Sequence, residues 1–451
     1  MIQVRFLAGL PLPGQPSVLT SPSSSRLDGS WRRLLGGSGV VLALKVIGAI
    51  GGFVFSVWVA RTLGDAALGR AELFILWVTV GATLLRGGWE GAVVRAFGAW
   101  TSHGMGDKVR HAFRRWTRVM LAIGCAAGLI GSRLFGPEHG LGPSEWIGWG
   151  IGAWVVIGWL AECLRGTGHV STYALFQPGW WMLLAGILIV FGVQDPALAL
   201  VLSALAMAAL SLAGTGWWFR NRYRTSAEGQ GHPEVSMGRL ALPIWIGSVL
   251  HLVLSWADTA MLSAWLTEAD VAHYRAAFRL AALLTFTQFA VNALGAPTFG
   301  ALHAAGDEEG LRRTVHRIGW LNTAVAVPGL LFLLVLGPWL LSWWGPAFAR
   351  EEAVTALGLL AVSQAINALS GPVMYLLNMT GGERAGLAIL GVSAVVQLTS
   401  GFWLVPAHGL VGAAVSAALG MVVWNGVGLV WIRRQHGFWM VSLANGWWRR
   451  A

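Results

Sequence analysis

Charged residues are scarce in this chain. Asp, Glu, Lys and Arg make up 11% of its 451 residues, whereas soluble domains carry roughly 25%. A soluble protein of this length has too much surface to cover with so few charges. The 55% content of hydrophobic residues excludes a disordered chain. The composition therefore predicts a polytopic membrane protein.

Cysteine and lysine are rarer still, which excludes several chemistries. Cys125 and Cys163 lie in apolar stretches and form neither a disulfide framework nor a zinc cluster. Lys45 and Lys108 are each followed by valine, so the chain lacks the phosphate-binding loop of ATP-driven transporters. No two histidines are four residues apart, and no Gly-x-Ser-x-Gly elbow occurs. We therefore predict a transporter, not an enzyme, without catalytic residues, cofactor or metal.

Twelve apolar runs are long enough to cross about 30 Å of hydrocarbon, and all must be helical because lipid offers no partner to backbone groups. Their predicted bounds are Leu35–Ala60, Glu72–Val94, Trp116–Leu134, Trp146–Leu164, Tyr173–Phe191, Ala197–Trp218, Leu240–Leu266, Tyr274–Gly295, Ile318–Leu341, Ala353–Asn378, Ala385–Val405 and Val411–Ile432. With both termini cytoplasmic, 23 of the 31 Lys and Arg residues fall in or beside inner segments and 5 in or beside outer loops. We therefore predict that both ends are cytoplasmic. The outer loops are too short to hold an enzyme site.

Two pairs of stretches, one member of each pair in either half of the chain, resemble each other. Gly106-Asp107 and Gly306-Asp307 each precede an Arg-rich helix entry, and residues 199–207 resemble residues 413–421. The alternative is chance similarity among Ala-, Leu- and Gly-rich helices. We predict two six-helix lobes related by a pseudo-two-fold axis along the membrane normal. The predicted parts are a cytoplasmic tail (1–34), an N-lobe of helices 1–6 (35–218), a basic cytoplasmic linker (219–239), a C-lobe of helices 7–12 (240–433) and a second cytoplasmic tail (434–451). The first tail is either disordered or the product of a misassigned start codon.

Ionisable residues inside spans are costly and usually face a cavity or a partner. Arg86 and Glu90 are four residues apart, which predicts one face of helix 2 and either a self-neutralising pair or a cavity role. Lys45 has no obvious partner in helix 1, which favours a position facing a cavity. Glu162 and Arg165, near the inner end of helix 4, are expected to extend to the membrane surface. A cavity of net positive charge would suit an anionic substrate such as a pyrophosphate head group.

Asp258 and Arg279 are expected to meet across a hairpin. The turn between helices 7 and 8 centres near Glu268–Ala269, about ten residues from each of them. Both should therefore lie at similar depth, roughly 15 Å along their helices. Their pair would either staple the hairpin or line a cavity.

Five stretches resemble the polysaccharide-transporter family, the O-antigen flippases of the multidrug, oligosaccharidyl-lipid and polysaccharide exporter superfamily. Residues 60–69 (ARTLGDAALG) resemble the family's turn after helix 1. Residues 258–262 (DTAML) and 271–280 (VAHYRAAFRL) are similar to its central signature, and residues 376–381 (LLNMTG) and 405–414 (VPAHGLVGAA) to its final one. Asp258, Tyr274 and Arg279 fall on recurring positions of the family, whereas Ala272 replaces the usual Gly.

The resemblance implies an all-α fold like that of multidrug-and-toxin-extrusion transporters, with two lobes around a central cavity. It implies a flippase of the bacterial inner membrane that moves undecaprenyl-pyrophosphate-linked oligosaccharide outward by alternating access, for O-antigen and lipopolysaccharide synthesis. The expected partners are that substrate, membrane lipids and polysaccharide polymerase machinery, with no nucleic acid. Transport would use a proton gradient, a sodium gradient or the membrane potential.

Several alternatives remain open. An ion-coupled drug exporter of the same fold would need a cavity acid, and helix 1 carries Lys45 instead. A lipid II flippase and a non-transporting scaffold or receptor are further alternatives. The candidate substrate and ion pathway consists of Lys45, Arg86, Glu90, Asp258, Tyr274 and Arg279.

Overall fold

A computed structural model describes residues 24–135, 144–176, 178–223, 236–285, 288, 295 and 298–441. Over these residues the chain consists of helices joined by turns. The helices are α1 (Ser24–Leu63), α2 (Asp65–Arg86), α3 (Trp89–Ser102), α4 (Gly106–Leu134), α5 (Ile147–Gly166), α6 (Val170–Ala174), α7 (Pro178–Val190), α8 (Pro196–Arg222), α9 (Met237–Trp265), α10 (Glu268–Ala282), α11 (Glu308–Leu341), α12 (Glu351–Ser370), α13 (Val373–Met379) and α14 (Glu383–His436).

The helices confirm the predicted all-α polytopic membrane fold. Within the described residues, nine helical stretches are long and apolar enough to cross a membrane. The longest, α14, contains 54 residues and is interrupted at Gly409, whose φ of 54° and ψ of −128° are not helical. It therefore contains both of the last two predicted spans. The predicted fifth span corresponds to the shorter helix α7, and the predicted eighth lies partly outside the described residues.

The chain forms two compact units. The first contains Asp28–Leu252 and Thr267–Ala272, and the second contains Val253–Leu266 and the described residues from His273 onward. The predicted lobe boundaries at 218 and 240 stay a prediction.

Helix α5 lies at the centre of the first unit, where it packs against α2, α3, α4 and α8. Its apolar side chains include Trp159 and Leu160, both fully buried. The approach of α4 to α5 is close, since a Cβ at Gly124 would lie 2.8 Å from the carbonyl oxygen of Gly152. Small residues at such positions let membrane helices pack backbone to backbone.

In the second unit, α12 packs against α11 and α14. A buried core at the start of α11 includes Leu311 and Val315, together with Leu376 of α13 and Ile432 of α14. It also includes Phe438 and Met440, which follow α14 in the chain.

Helices extend into both of the predicted tails. Helix α1 begins at Ser24, within the predicted tail 1–34, because no proline after Pro22 interrupts its backbone hydrogen bonds. The predicted tail 434–451 begins inside α14, and its described residues to Val441 pack on the unit's core because Phe438 and Met440 are apolar. Residues 1–23 and 442–451 lie outside the described residues.

Candidate functional site

The second predicted span is broken at two adjacent glycines. Helix α2 ends at Arg86, and Gly87 and Gly88 have φ angles of 57° and 77°, in the left-handed region that favours glycine. The N–H of Gly87 donates to the carbonyl of Leu84 and closes α2, and α3 then begins at Trp89. The prediction that Arg86 and Glu90 share one helix is therefore wrong, because the sequence ends one helix and starts another between them.

Arg86 and Glu90 nevertheless form an ion pair, and both side chains are mostly buried. Arg86 lies in the last turn of α2 and Glu90 in the first turn of α3. Each charge therefore lies at the helix end whose dipole favours it.

The guanidinium of Arg86 also reaches helix α5. It donates to the backbone carbonyl oxygen of Trp154 at 3.1 Å. A carbonyl oxygen has two lone pairs, so this oxygen can accept a second hydrogen bond as well. Position 158 leaves room for this contact, since a Cβ at Gly158 would collide with Nη1 of Arg86. Arg86 is thus held between two helices.

Three further charges lie close to this pair. Glu162 and Arg165 form an ion pair on α5, and Glu162 interacts electrostatically with Arg86 and Glu90. Lys45, on α1, interacts with Glu162 and Arg165. We call Lys45, Arg86, Glu90, Glu162 and Arg165 the charge cluster. With every group ionised, it has three positive and two negative charges.

The charge cluster borders a cavity of about 160 Å³. Arg86, Glu90 and Glu162 line it, together with Tyr173 and Phe176. Arg165 lies over the ring of Tyr173, with its Cζ 5.3 Å from the ring centroid. The lining of the cavity therefore combines charged and aromatic side chains.

A larger cavity of about 570 Å³ lies beside the first and shares Phe176 with it. Its lining is almost entirely apolar and comes from the end of α5 and from α6, α7 and α8. Trp180, Trp217 and Trp218 contribute aromatic surface. We call this cavity the tryptophan groove. The first unit thus presents a charged cavity and an apolar groove side by side.

A second polar site lies in the second unit, around Asp258. This carboxylate is fully buried. The hydroxyl of Tyr274 donates to its Oδ2 at 2.6 Å, while the backbone N–H and the hydroxyl of Thr259 donate to its Oδ1 at 2.6 Å and 3.2 Å. These donors stabilise a carboxylate that burial would otherwise disfavour.

Arg275 interacts electrostatically with Asp258, whereas the sequence predicted Arg279 as its partner. Its guanidinium lies 4.1 Å from the ring centroid of Trp256 and 4.7 Å from that of Phe278, an arrangement that stabilises a buried cation. The observed turn is Leu266–Thr267, between α9 and α10. Asp258 lies eight residues before this turn, and Arg275 lies eight residues after it. The predicted turn was two residues later in the chain, which placed Arg279 at the depth of Asp258.

The structure thus divides the six predicted site residues between the two units. Arg86 and Glu90 pair directly, and Lys45 interacts with the same cluster. Asp258 and Tyr274 form one hydrogen-bonded group, and Arg279 is half-buried on α10.

The sequence predicted that Glu162 and Arg165 extend to the membrane surface, but Glu162 is mostly buried and interacts with Arg86. It did not single out Arg275. The sequence shows two charged residues, Glu162 and Arg165, three apart in an apolar segment. Their position beside Arg86 depends on helix packing, which the sequence does not show. Arg275 could have been found only with the correct turn.

Comparison with known proteins gives one family match and two partial relatives. The family described as MatE matches residues 243–403. The chain is 25% identical over 184 residues to a probable flippase, AglR, of Haloferax volcanii, a match covering 40% of this chain and 38% of AglR. It is 24% identical over 184 residues to a probable low-salt glycan biosynthesis flippase, Agl15, of the same organism, with the same coverage. The chain thus spans about two fifths of the length of these relatives.

Solved structures show the fold. The inward-facing conformation of a multidrug resistance MATE family transporter of the MOP superfamily matches with a TM-score of 0.67 at 18% identity. The match covers 89% of this chain and 98% of that one. The chain therefore has the all-α, two-lobe fold of a multi-pass membrane transporter.

Proposed function

We propose that this protein is a flippase for a lipid-linked oligosaccharide carrying a pyrophosphate head group, of the kind used to build O-antigen and lipopolysaccharide. It would move an undecaprenyl-linked glycan from the cytoplasmic to the outer leaflet of a bacterial inner membrane. The observation that carries the proposal is the charge cluster beside the tryptophan groove. Three basic groups against two acidic ones suit an anionic head, and guanidinium groups bind phosphate oxygens through paired hydrogen bonds.

The two flippase relatives support this substrate class, and the transporter fold supports alternating access. In this mechanism the head group enters the charged cavity and exchanges with the Arg86–Glu90 and Glu162–Arg165 ion pairs. The cost of opening these pairs is offset by new contacts to the phosphates. The polyprenyl chain stays in an apolar environment throughout.

A second candidate function is ion-coupled drug export, favoured by the two carboxylates of the cavity. Glu90 and Glu162 are mostly buried, and a buried carboxylate can exchange a proton when a neighbouring cation leaves. Such an exporter would bind an organic cation, which the three basic groups of the cluster would repel.

The experiment is lipid analysis by mass spectrometry after depletion of the protein in its host. Accumulation of a polyprenyl-pyrophosphate oligosaccharide, reversed by the wild-type gene, is the expected result. Arg86→Gln should fail to reverse it at normal protein level, whereas the exposed Arg312→Gln should succeed. An unchanged lipid pool with new drug sensitivity would favour the exporter.

A further inference from the structure

A cluster of metal-binding side chains lies in the second unit, outside the site described above. His303 lies in a helical stretch at residues 298–304, Glu308 is the first residue of α11, and His436 is the last residue of α14. The Nδ1 of His436 is 3.4 Å from one carboxylate oxygen of Glu308, and the Nδ1 of His303 is 3.8 Å from the other. One potential ligand atom from each residue lies within 4.8 Å of the other two.

The hydrogen bond on the far side of His436 fixes its tautomer. The hydroxyl of Thr380 donates to the carbonyl of Leu376 at 2.9 Å, so its oxygen accepts from Nε2 of His436 at 3.3 Å. In the neutral ring, Nδ1 then bears a lone pair facing the carboxylate of Glu308. Two acceptors face each other, which is favourable only with a cation or a proton between them.

The distances fit a metal ion better than direct hydrogen bonds. Two ligands at roughly 2.1 Å from a tetrahedral ion lie about 3.4 Å apart. The Nδ1 of His303 is buried and has no hydrogen-bond partner. A metal-bound histidine usually donates its other ring N–H to an oxygen, as His436 does to Thr380.

We propose that His303, Glu308 and His436 bind a divalent transition-metal ion. Zinc fits best, because two imidazoles and a carboxylate match its preferred ligands. Glu308 is about half exposed, which leaves the fourth position open to water.

The metal would fasten the two ends of a long stretch of chain. Glu308 and His436 are 128 residues apart in sequence. Binding to the folded state alone stabilises it in proportion to the logarithm of metal concentration. The site would hold the end of α14, and the core segment after it, against the start of α11.

The test uses the purified full-length protein, stripped with a chelator, in detergent. Calorimetric titration with ZnCl₂ should give one site, and Co²⁺ should give the visible absorption of a tetrahedral complex. Zinc should also raise the Tm. His303→Gln, Glu308→Gln and His436→Gln should each weaken binding by at least about tenfold. The exposed His408→Gln, far from His436 along α14, is the matched control.

A substitution at a residue that does not bind the metal provides a second test if a variant of His303, Glu308 or His436 does not fold. Thr380→Val preserves volume but removes the acceptor for His436, and should weaken zinc binding about tenfold. Absence of zinc binding by the folded wild type at micromolar metal would overturn the site and leave a proton-mediated His–Glu pair. Equal affinity in the wild type and all ligand variants would overturn it as well.

Discussion

Arg86 is the residue on which the charged cavity depends most. Its side chain pairs with Glu90, donates to a carbonyl of α5 and occupies the space that Gly158 leaves open. These contacts come from different helices, so a small change in the packing of α5 alters the position of the charge. A substitution that moves this cation without unfolding the protein therefore tests its role in transport.

Gly158→Ala should displace Arg86 without unfolding the protein. The added methyl group meets the flexible end of Arg86 rather than backbone, so the side chain can move at little cost. We expect flipping to fall by about tenfold, equivalent to about 1.4 kcal/mol in activation free energy, measured as accumulation of the lipid-linked glycan. Gly216→Ala, which meets nothing within 4 Å, should transport normally. Equal transport by both variants would contradict a role for Arg86 placement.

Tyr274→Phe should destabilise the second unit. It removes the hydroxyl that donates to the buried carboxylate of Asp258, at a cost of about 1–3 kcal/mol. The Tm in detergent should fall by several degrees. Tyr375→Phe, on α13, is the control and should leave the Tm almost unchanged. Similar melting of the two variants would show that the hydrogen bond adds little.

At the residue scale, the sequence locates the buried polar groups of the spans better than it predicts their partners. Asp258 and Tyr274 were identified before the structure showed their hydrogen bond. Arg279, the predicted partner of Asp258, lies four residues or about one helical turn beyond Arg275, because a two-residue error in the turn is doubled across a hairpin. Side-chain pairing depends on the register of two helices, which hydropathy alone does not define.

At the scale of helices, the glycine pair between α2 and α3 has the clearest functional consequence. It places Arg86 and Glu90 at facing helix ends, and it allows a close approach to α9. A Cβ at Gly88 would collide with the carbonyl oxygen of Ala241. Gly88 is thus required both for its positive φ and for the close approach to α9, and a residue with a Cβ meets neither requirement.

Gly88→Ala should therefore lower both stability and transport. The positive φ alone costs roughly 1–2 kcal/mol for a residue with a Cβ, and the collision with backbone adds to it. Thermal unfolding in detergent and the glycan-accumulation assay measure the two effects. Gly98→Ala on α3, where the nearest contact is an ordinary 3.7 Å, should retain both. A Gly88→Ala protein that melts like the wild type would disprove the packing constraint.

Helix interruptions explain where the predicted spans differ from the structure. The run at residues 72–94 is apolar on average, and Arg86, Gly87-Gly88 and Glu90 interrupt it too briefly to divide it into two spans. In α14 the interruption at Gly409 falls between two predicted spans, because Pro406, His408 and Gly409 lower the local hydropathy. Hydropathy thus locates the break at Gly409, where neighbouring residues lower the local average, and misses the glycine pair between two single charges.

At the scale of the whole molecule, composition was enough to predict an all-α membrane fold, since lipid permits few alternatives. The charge cluster could not be predicted as a unit, because its residues lie on α1, α2, α3 and α5 and meet only through packing. The same holds for His303, Glu308 and His436. A search for histidines four apart detects sites on one helix and misses a site assembled from three segments.

The segment after α14 also contributes to the stability of the whole second unit. Met440 is 1% exposed in the core at the start of α11, and Nε2 of His316 lies 2.7 Å from the carbonyl oxygen of Trp439. Met440→Ala should therefore cost about 2–5 kcal/mol, the range for truncating a buried methionine. Val427→Ala, at an exposed position of α14, is the control. If Met440→Ala left the Tm within a degree of the control, the segment would be a peripheral attachment rather than part of the core.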